Sequence, residues 1–154
     1  MVMREYRRAD RAGCLAVFDS NVPDDFRPSE RASFEGFLDA LPGPYLVLED
    51  GTGRVVGCGG WALEPDGRTA ALCWGMVERS RQGEGLGRRL LEERLRRARR
   101  DPAVECVTLR TSHRVRGFFA RLGFVEMRGT PDGIAPGLHE VEMAVELRAD
   151  GPLT

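Results

Sequence analysis

The apolar residues of this chain fall into short alternating runs separated by turn residues, with a few stripes at helical spacing between them. Val2 to Tyr6 alternates and predicts a first strand. Asp10 is placed to cap a helix running to about Ser20, with Leu15, Ala16 and Phe18 facing inward. Residues 21–25 read as a loop by composition. Ser29 then caps a second helix whose Phe34, Phe37, Leu38 and Leu41 recur at i, i+3, i+4 and i+7, before Pro42-Gly43-Pro44 ends it. Tyr45 to Glu49 and Arg54 to Leu63 predict two strands joined through Asp50-Gly51-Thr52-Gly53. After Pro65-Asp66-Gly67 a third strand of this series runs from Thr69 to Val77. A helix over Arg88–Arg100, a strand over Val104–Arg110 and a helix over His113–Leu122, stopped by Gly123, follow. Two strands, Phe124–Arg128 and Glu140–Leu147, close the chain around Pro131-Asp132-Gly133. The order predicts a mixed α/β or α+β sheet covered by helices, in a single domain over residues 1–148 with a tail at 149–154.

Between the strand ending at Val77 and the following helix lies Gln82-Gly83-Glu84-Gly85-Leu86-Gly87. The first turn of a helix leaves backbone N–H groups without internal partners, and the helix dipole adds partial positive charge there. Glycines let the backbone approach an anion closely and take positive φ. A turn so placed is suited to a diphosphate. A P-loop would need Lys and Ser/Thr after the glycines, and here Arg88 and Arg89 follow. A dinucleotide turn would follow a first parallel strand and carry an acid about 20 residues on, which this segment does not. The pyrophosphate of coenzyme A and a plain tight turn remain.

Composition narrows the partners. The 23 basic residues are all Arg and are nearly cancelled by 24 acids, leaving a formal net charge of -1, which argues against a nucleic-acid binder. Arg94, Arg96, Arg97, Arg99 and Arg100 crowd one predicted helix, with Glu92 and Glu93 four residues before Arg96 and Arg97, so a solvated, salt-bridged face is expected. Cys14, Cys58, Cys73 and Cys106 form no C-x-x-C pair and lie away from His113 and His139, so neither a metal site nor a disulfide framework is expected. Charge enters at Arg4 and Glu5 before any signal-peptide core, and no apolar run approaches the roughly 20 residues of a membrane span. The expectation is a soluble cytoplasmic protein that engages no membrane.

Gln82, Gly85 and Gly87 fill the Q/R-x-x-G-x-G/A signature of the GNAT superfamily of N-acetyltransferases. The chain resembles that family further in Trp74-Gly75-Met76-Val77, which is similar to its fourth strand, and in Phe118-Phe119-Ala120-Arg121-Leu122-Gly123-Phe124, which is similar to its late aromatic-x-x-x-G-F segment. The resemblance covers roughly residues 3–148 and implies a mostly antiparallel sheet of about seven strands flanked by four helices. It implies acetyl-CoA as co-substrate and a small-molecule or peptide amine as acceptor, and it leaves a homodimer open. Backbone groups of Met76 and Val77 are then expected to meet the pantetheine arm and thioester, with an N–H at Val77 as oxyanion donor. Gly83, Glu84, Gly85, Leu86, Gly87 and Arg88, with the Gln82 side chain, are expected to hold the pyrophosphate.

The departures from the family pattern concern proton transfer. Many relatives carry a tyrosine where Phe119 stands, and Phe119 has no hydroxyl to protonate the leaving thiolate. Ser112 stands where relatives often have an asparagine that contacts the cofactor. Ser112, His113 or an ordered water is left as acid, although a thiol of pKa about 8.5 leaves tolerably without one. For the base, Glu78 lies just beyond the acetyl site, and Glu64 and His139 are further candidates, each also readable as an ordinary surface residue. A CoA-binding module without turnover is the rival reading. Trp61 and Trp74 are expected to pack across adjacent strands, and Cys73 to be a small core residue.

Overall fold

The alternating runs become strands and the stripes become helices, in the order that the hydrophobic pattern sets. A computed structural model describes residues 1–147, so the tail at 149–154 lies outside the described residues. The elements are β1 (Val2–Glu5), α1 (Arg11–Ser20), α2 (Arg31–Asp39), β2 (Tyr45–Glu49), β3 (Val55–Leu63), β4 (Thr69–Val77), α3 (Leu86–Ala98), β5 (Cys106–Ser112), α4 (Arg116–Arg121), β6 (Val125–Ala135) and β7 (Leu138–Glu146). The strands form a seven-stranded sheet in the order β1-β2-β3-β4-β5-β7-β6. The β1/β2, β2/β3, β5/β7 and β6/β7 pairs are antiparallel, and β4/β5 is parallel. Among the described residues no helix is long and apolar enough to cross a membrane.

The described chain divides into two compact units, one of residues 1–62 and 73–97, the other of residues 63–72 and 98–147. In the first, strand alternation sends side chains into two separate cores. Cys14, Leu15, Val17 and Phe18 of α1 and Phe34 and Leu38 of α2 cover one, with Tyr45, Val47, Cys58 and Met76 from the strands. Leu48, Val56, Val77 and Leu86 form the other. Ala16, expected inward, is exposed, and Cys14 and Val17 take the core positions instead. Ser29 does not cap α2 but lies within a 3-10 turn, Pro28–Glu30, that leads into it. Trp74 packs not on Trp61 but on the aromatic rings of α1, α2 and their connection, closest to Phe34 at 4.9 Å between centroids. The solvated face expected for α3 holds for Arg88–Glu92, Arg96–Glu93 and Arg97–Glu93, but Arg94 is only 5% exposed. It reaches inward because Gly59 and Gly75 present no side chain where its guanidinium lies.

Asp10 also departs from its expected role, since its carboxylate makes no cap bond to α1. It accepts from Arg4 Nη1 and Nη2 at 2.8 Å each and from the Arg7 N–H at 2.8 Å, tying β1 to the start of α1. The Arg4 bonds hold the carboxyl below its usual range despite burial. With the folded value depressed, the stabilisation is complete above the unfolded value of about 3.9 and is lost as pH falls through the folded one. Asp10→Asn is expected to cost about 1–3 kcal/mol at pH 7. Urea unfolding at pH 7 and pH 3 checks this: the gap to wild type should narrow at pH 3, and a gap independent of pH would contradict it.

In the second unit, β5 and β7 pair from Cys106↔Glu146 to Ser112↔Glu140, while β4 joins β5 over Thr69–Ala71 and Cys106–Thr108. The helix expected from His113 starts only at Arg116. The His113 N–H instead extends the strand pairing to the His139 carbonyl at 2.9 Å, and Ser112 Oγ accepts the Arg114 N–H at 3.2 Å. Pro131-Asp132-Gly133, expected as the last turn, lies inside β6, and the chain reverses at residues 136–137. Asp132 takes φ 54° and accepts the Gly137 N–H at 2.6 Å, which closes the hairpin beyond the expected turn.

Candidate functional site

The glycine-rich turn forms as its sequence requires. Gly83 and Gly85 have φ of 85° and 81°, where a side chain is disfavoured, and among the described residues no atom beyond the adjoining ones stands within 4 Å of where a Cβ would lie on either. The first bond of α3 in this turn runs from the Arg89 N–H to the Gly85 carbonyl at 3.1 Å. The N–H groups of Leu86, Gly87 and Arg88 therefore have no partner within the helix. Leu86 is buried beside Leu48, Val56 and Val77, which anchors the helix start against the end of β4. Around the turn, Arg81 Nε meets Glu84 at 3.1 Å and Arg88 Nε meets Glu92 at 3.0 Å.

The Gln82 side chain does something the sequence did not suggest. Its Nε2 donates to Asn21 Oδ1 at 2.8 Å and to the Val77 carbonyl at 3.2 Å, so both amide hydrogens are engaged. Both donors of the side chain are thus directed at Asn21 and Val77. Asn21 is 1% exposed, and its Nδ2 donates to the Val17 carbonyl at 3.1 Å and to the Val77 carbonyl at 2.9 Å. One buried amide thus ties the end of α1, the end of β4 and the turn together. In the sequence Asn21 falls in a loop, and its only signal is a short polar residue directly after a helix.

Along β4, residues 71–74 are half-buried and Gly75 is exposed, while Met76 and Val77 are buried. Trp74 has φ 46°, a conformation costly for a bulky residue and concentrated at functional sites. The Tyr45 hydroxyl donates to the Trp74 carbonyl at 2.8 Å and holds it there. Glu78 is not a free base. It is 8% exposed, ion-paired to Arg54, and accepts from Ser80 Oγ at 2.7 Å. Glu64 is exposed.

Ser112, His113 and Phe119 belong to the second unit. The Phe119 ring stands edge-on to Phe118 at 5.0 Å and to Phe124 at 5.8 Å. His113 Nδ1 accepts the His139 N–H at 3.1 Å, and His139 Nδ1 accepts the Asp132 N–H at 2.9 Å. Each neutral ring therefore carries its proton on Nε2. The rings lie 4.6 Å apart. Among the described residues no group of three or more His, Cys, Asp or Glu is arranged to hold a metal ion.

Comparison with known proteins gives a consistent picture. Among curated proteins none matches the chain. Among solved structures, an aminoglycoside 6'-N-acetyltransferase complexed with coenzyme A is similar at a TM-score of 0.81 and 14% identity, covering 99% of this chain and 100% of that one. The ribosomal-protein-S18-alanine N-acetyltransferase of Escherichia coli is similar at 0.80 and 16% identity, covering 99% and 97%. A GNAT-family protein of Desulfovibrio desulfuricans reaches 0.80 at 22% identity, covering 94% and 98%. The Acetyltransferase (GNAT) family profile matches residues 4–124, so the chain belongs to the GNAT acetyltransferase family.

Proposed function

We propose that the protein transfers an acetyl group from acetyl-CoA to a primary amine by direct attack. The observation that carries this is the turn at 83–88, where helix-start N–H groups and two open glycines face no protein partner among the described residues. In this reading the N–H groups of residues 83–88 hold the pyrophosphate, and the half-open stretch of β4 up to Val77 meets the pantetheine arm and thioester. Relatives of the same fold are described as acting on an aminoglycoside and on a ribosomal protein's alanine, which supports an amine acceptor. Gln82 and Asn21 position the Val77 peptide rather than touch the cofactor. Glu78, paired with Arg54, keeps that corner rigid, and water takes the amine's proton.

A second reading, a CoA-binding module without turnover, is favoured by the engagement of Glu78 and by the absence of a hydroxyl at Phe119. Thiol release from acetyl-CoA across spermidine, kanamycin and an alanine-initiated peptide decides between them. Release with at least one amine supports transfer, and binding without release for every amine supports the module. Asn21→Ala is expected to lower stability by about 1–3 kcal/mol through unsatisfied buried groups. It should also raise the KM for acetyl-CoA severalfold. An unchanged KM in a folded variant would remove Asn21 from the site.

A further inference from the structure

Arg94 is buried without a counter-charge. Its residue is 5% exposed, its Nε has no hydrogen-bond partner among the described residues, and Nη1 donates to the Gly60 carbonyl at a long 3.4 Å. Among the described residues no carboxylate pairs with it; the groups acting on its charge are Tyr45, Cys73 and Cys58. Burial pushes its pKa down to about 10. A bare buried guanidinium costs several kcal/mol in general.

Its position gives the cost a purpose. A side-chain carbon at Gly75 would stand 2.6 Å from Nη2, 3.0 Å from Nη1 and 3.1 Å from Cζ, and one at Gly59 would stand 3.1 Å from Cζ. The guanidinium therefore lies directly behind the backbone of Gly75, on the face that Val77 shares. Gly75 is the exposed residue of β4, next to Met76 and one residue beyond the strained Trp74.

We infer that Arg94 is a positioning residue that stabilises, from beneath the sheet, the negative charge formed on the acyl oxygen during transfer. This rests on the functional reading above. The amine lone pair attacks the thioester carbonyl carbon, forming the C–N bond while the carbonyl π pair moves onto oxygen. Collapse re-forms the carbonyl and breaks the C–S bond, with sulfur leaving as thiolate. The nitrogen gives its proton to water and the thiolate takes one up, so amine and thioester become amide and thiol. Arg94 touches none of these atoms. Its charge is fixed in a water-poor setting before reaction begins, where a preorganised charge acts most strongly.

The test compares wild type with Arg94→Met, Arg94→Lys and Gly75→Ala, the last displacing the guanidinium without removing it. The readouts are kcat and KM for acetyl-CoA with the fastest amine of the panel, Tm, and the infrared carbonyl band of bound ¹³C-acetyl-CoA. A directly contacting oxyanion donor is worth about 10²–10³ in kcat, so a charge one layer behind is expected to be worth about 10- to 100-fold. Arg94→Met should lose that factor with KM within about threefold, a Tm equal to or above wild type because a bare buried charge is gone, and a carbonyl band at higher wavenumber. Arg94→Lys should recover part of the rate, and Gly75→Ala should shift rate and band in the same direction as Arg94→Met. Wild-type kcat and an unmoved band in either folded variant overturn the inference. So does a loss of kcat that merely follows equal losses of Tm and affinity. If wild type neither binds acetyl-CoA nor releases thiol, the functional reading itself fails and takes this inference with it.

Discussion

Gly85→Asp is expected to leave the protein folded and unable to hold acetyl-CoA. Gly85 directly precedes Leu86, the first residue of α3, with φ 81° and open space where a Cβ would lie. An aspartate there pays about 1–2 kcal/mol for its left-handed backbone, but Asp tolerates that region better than most residues. It also gains about 1 kcal/mol as a helix cap, because its carboxylate accepts the N–H groups of the first turn. Those are the groups assigned to the pyrophosphate, so the variant supplies its own anion to the site and repels another. A loss of at least about 100-fold in affinity, or 2.7 kcal/mol, is expected, with circular dichroism unchanged. Gly85→Ala, which adds strain but no charge, should lose much less. If the aspartate variant folds and binds acetyl-CoA as wild type does, the phosphate lies elsewhere.

Phe34→Ala is expected to cost about 3–5 kcal/mol, the usual range for emptying a buried aromatic position. Phe34 is fully buried and meets Phe18 at 5.6 Å, Tyr45 at 6.4 Å, Phe37 at 6.5 Å and Trp74 at 4.9 Å. Against a typical total of 5–15 kcal/mol, that loss brings a domain of this size close to unfolding. At about 2–4 °C per kcal/mol, Tm should fall by roughly 6–20 °C. The Trp74 ring stacks on Phe34, so its fluorescence in the folded variant should change as well. A Tm within about 3 °C of wild type would mean that the aromatic cluster collapses freely into the space.

Element order was legible because each turn carries its own chemistry. Asp50-Gly51-Thr52-Gly53 and Pro65-Asp66-Gly67 sit where the chain reverses, and the stripe of Phe34 and Leu38 can bury only as a helix. The same logic misplaced the last hairpin. Pro131-Asp132-Gly133 has turn composition, yet Asp132 uses its side chain to close a reversal at Gly137 and stays within β6. The glycine turn was legible through its position between β4 and α3. What surrounds it was not, since the Gln82 amide is directed by Asn21, 61 residues away along the chain. Arg94 was hidden for a similar reason. A helix read alone shows one arginine among many, and only the strands reveal that Gly59 and Gly75 clear a place for it. Trp74 has no signature of positive φ in its residue type, because the hydroxyl of Tyr45 and the rings of α1 and α2 impose it. Contacts that join distant segments of chain leave no local trace in the sequence.

Calorimetric titration of the protein with acetyl-CoA and with S-acetylpantetheine tests the assignment of the turn most directly. The second ligand keeps the thioester and pantetheine arm but lacks the pyrophosphate and nucleotide. With the pyrophosphate held by the N–H groups of residues 83–88, acetyl-CoA should bind at least about 100-fold more tightly than S-acetylpantetheine, a difference of 2.7 kcal/mol. Gly85→Asp should shrink that difference to near zero. Equal affinity of the wild type for the two ligands, or no heat with acetyl-CoA at millimolar concentration, would contradict it.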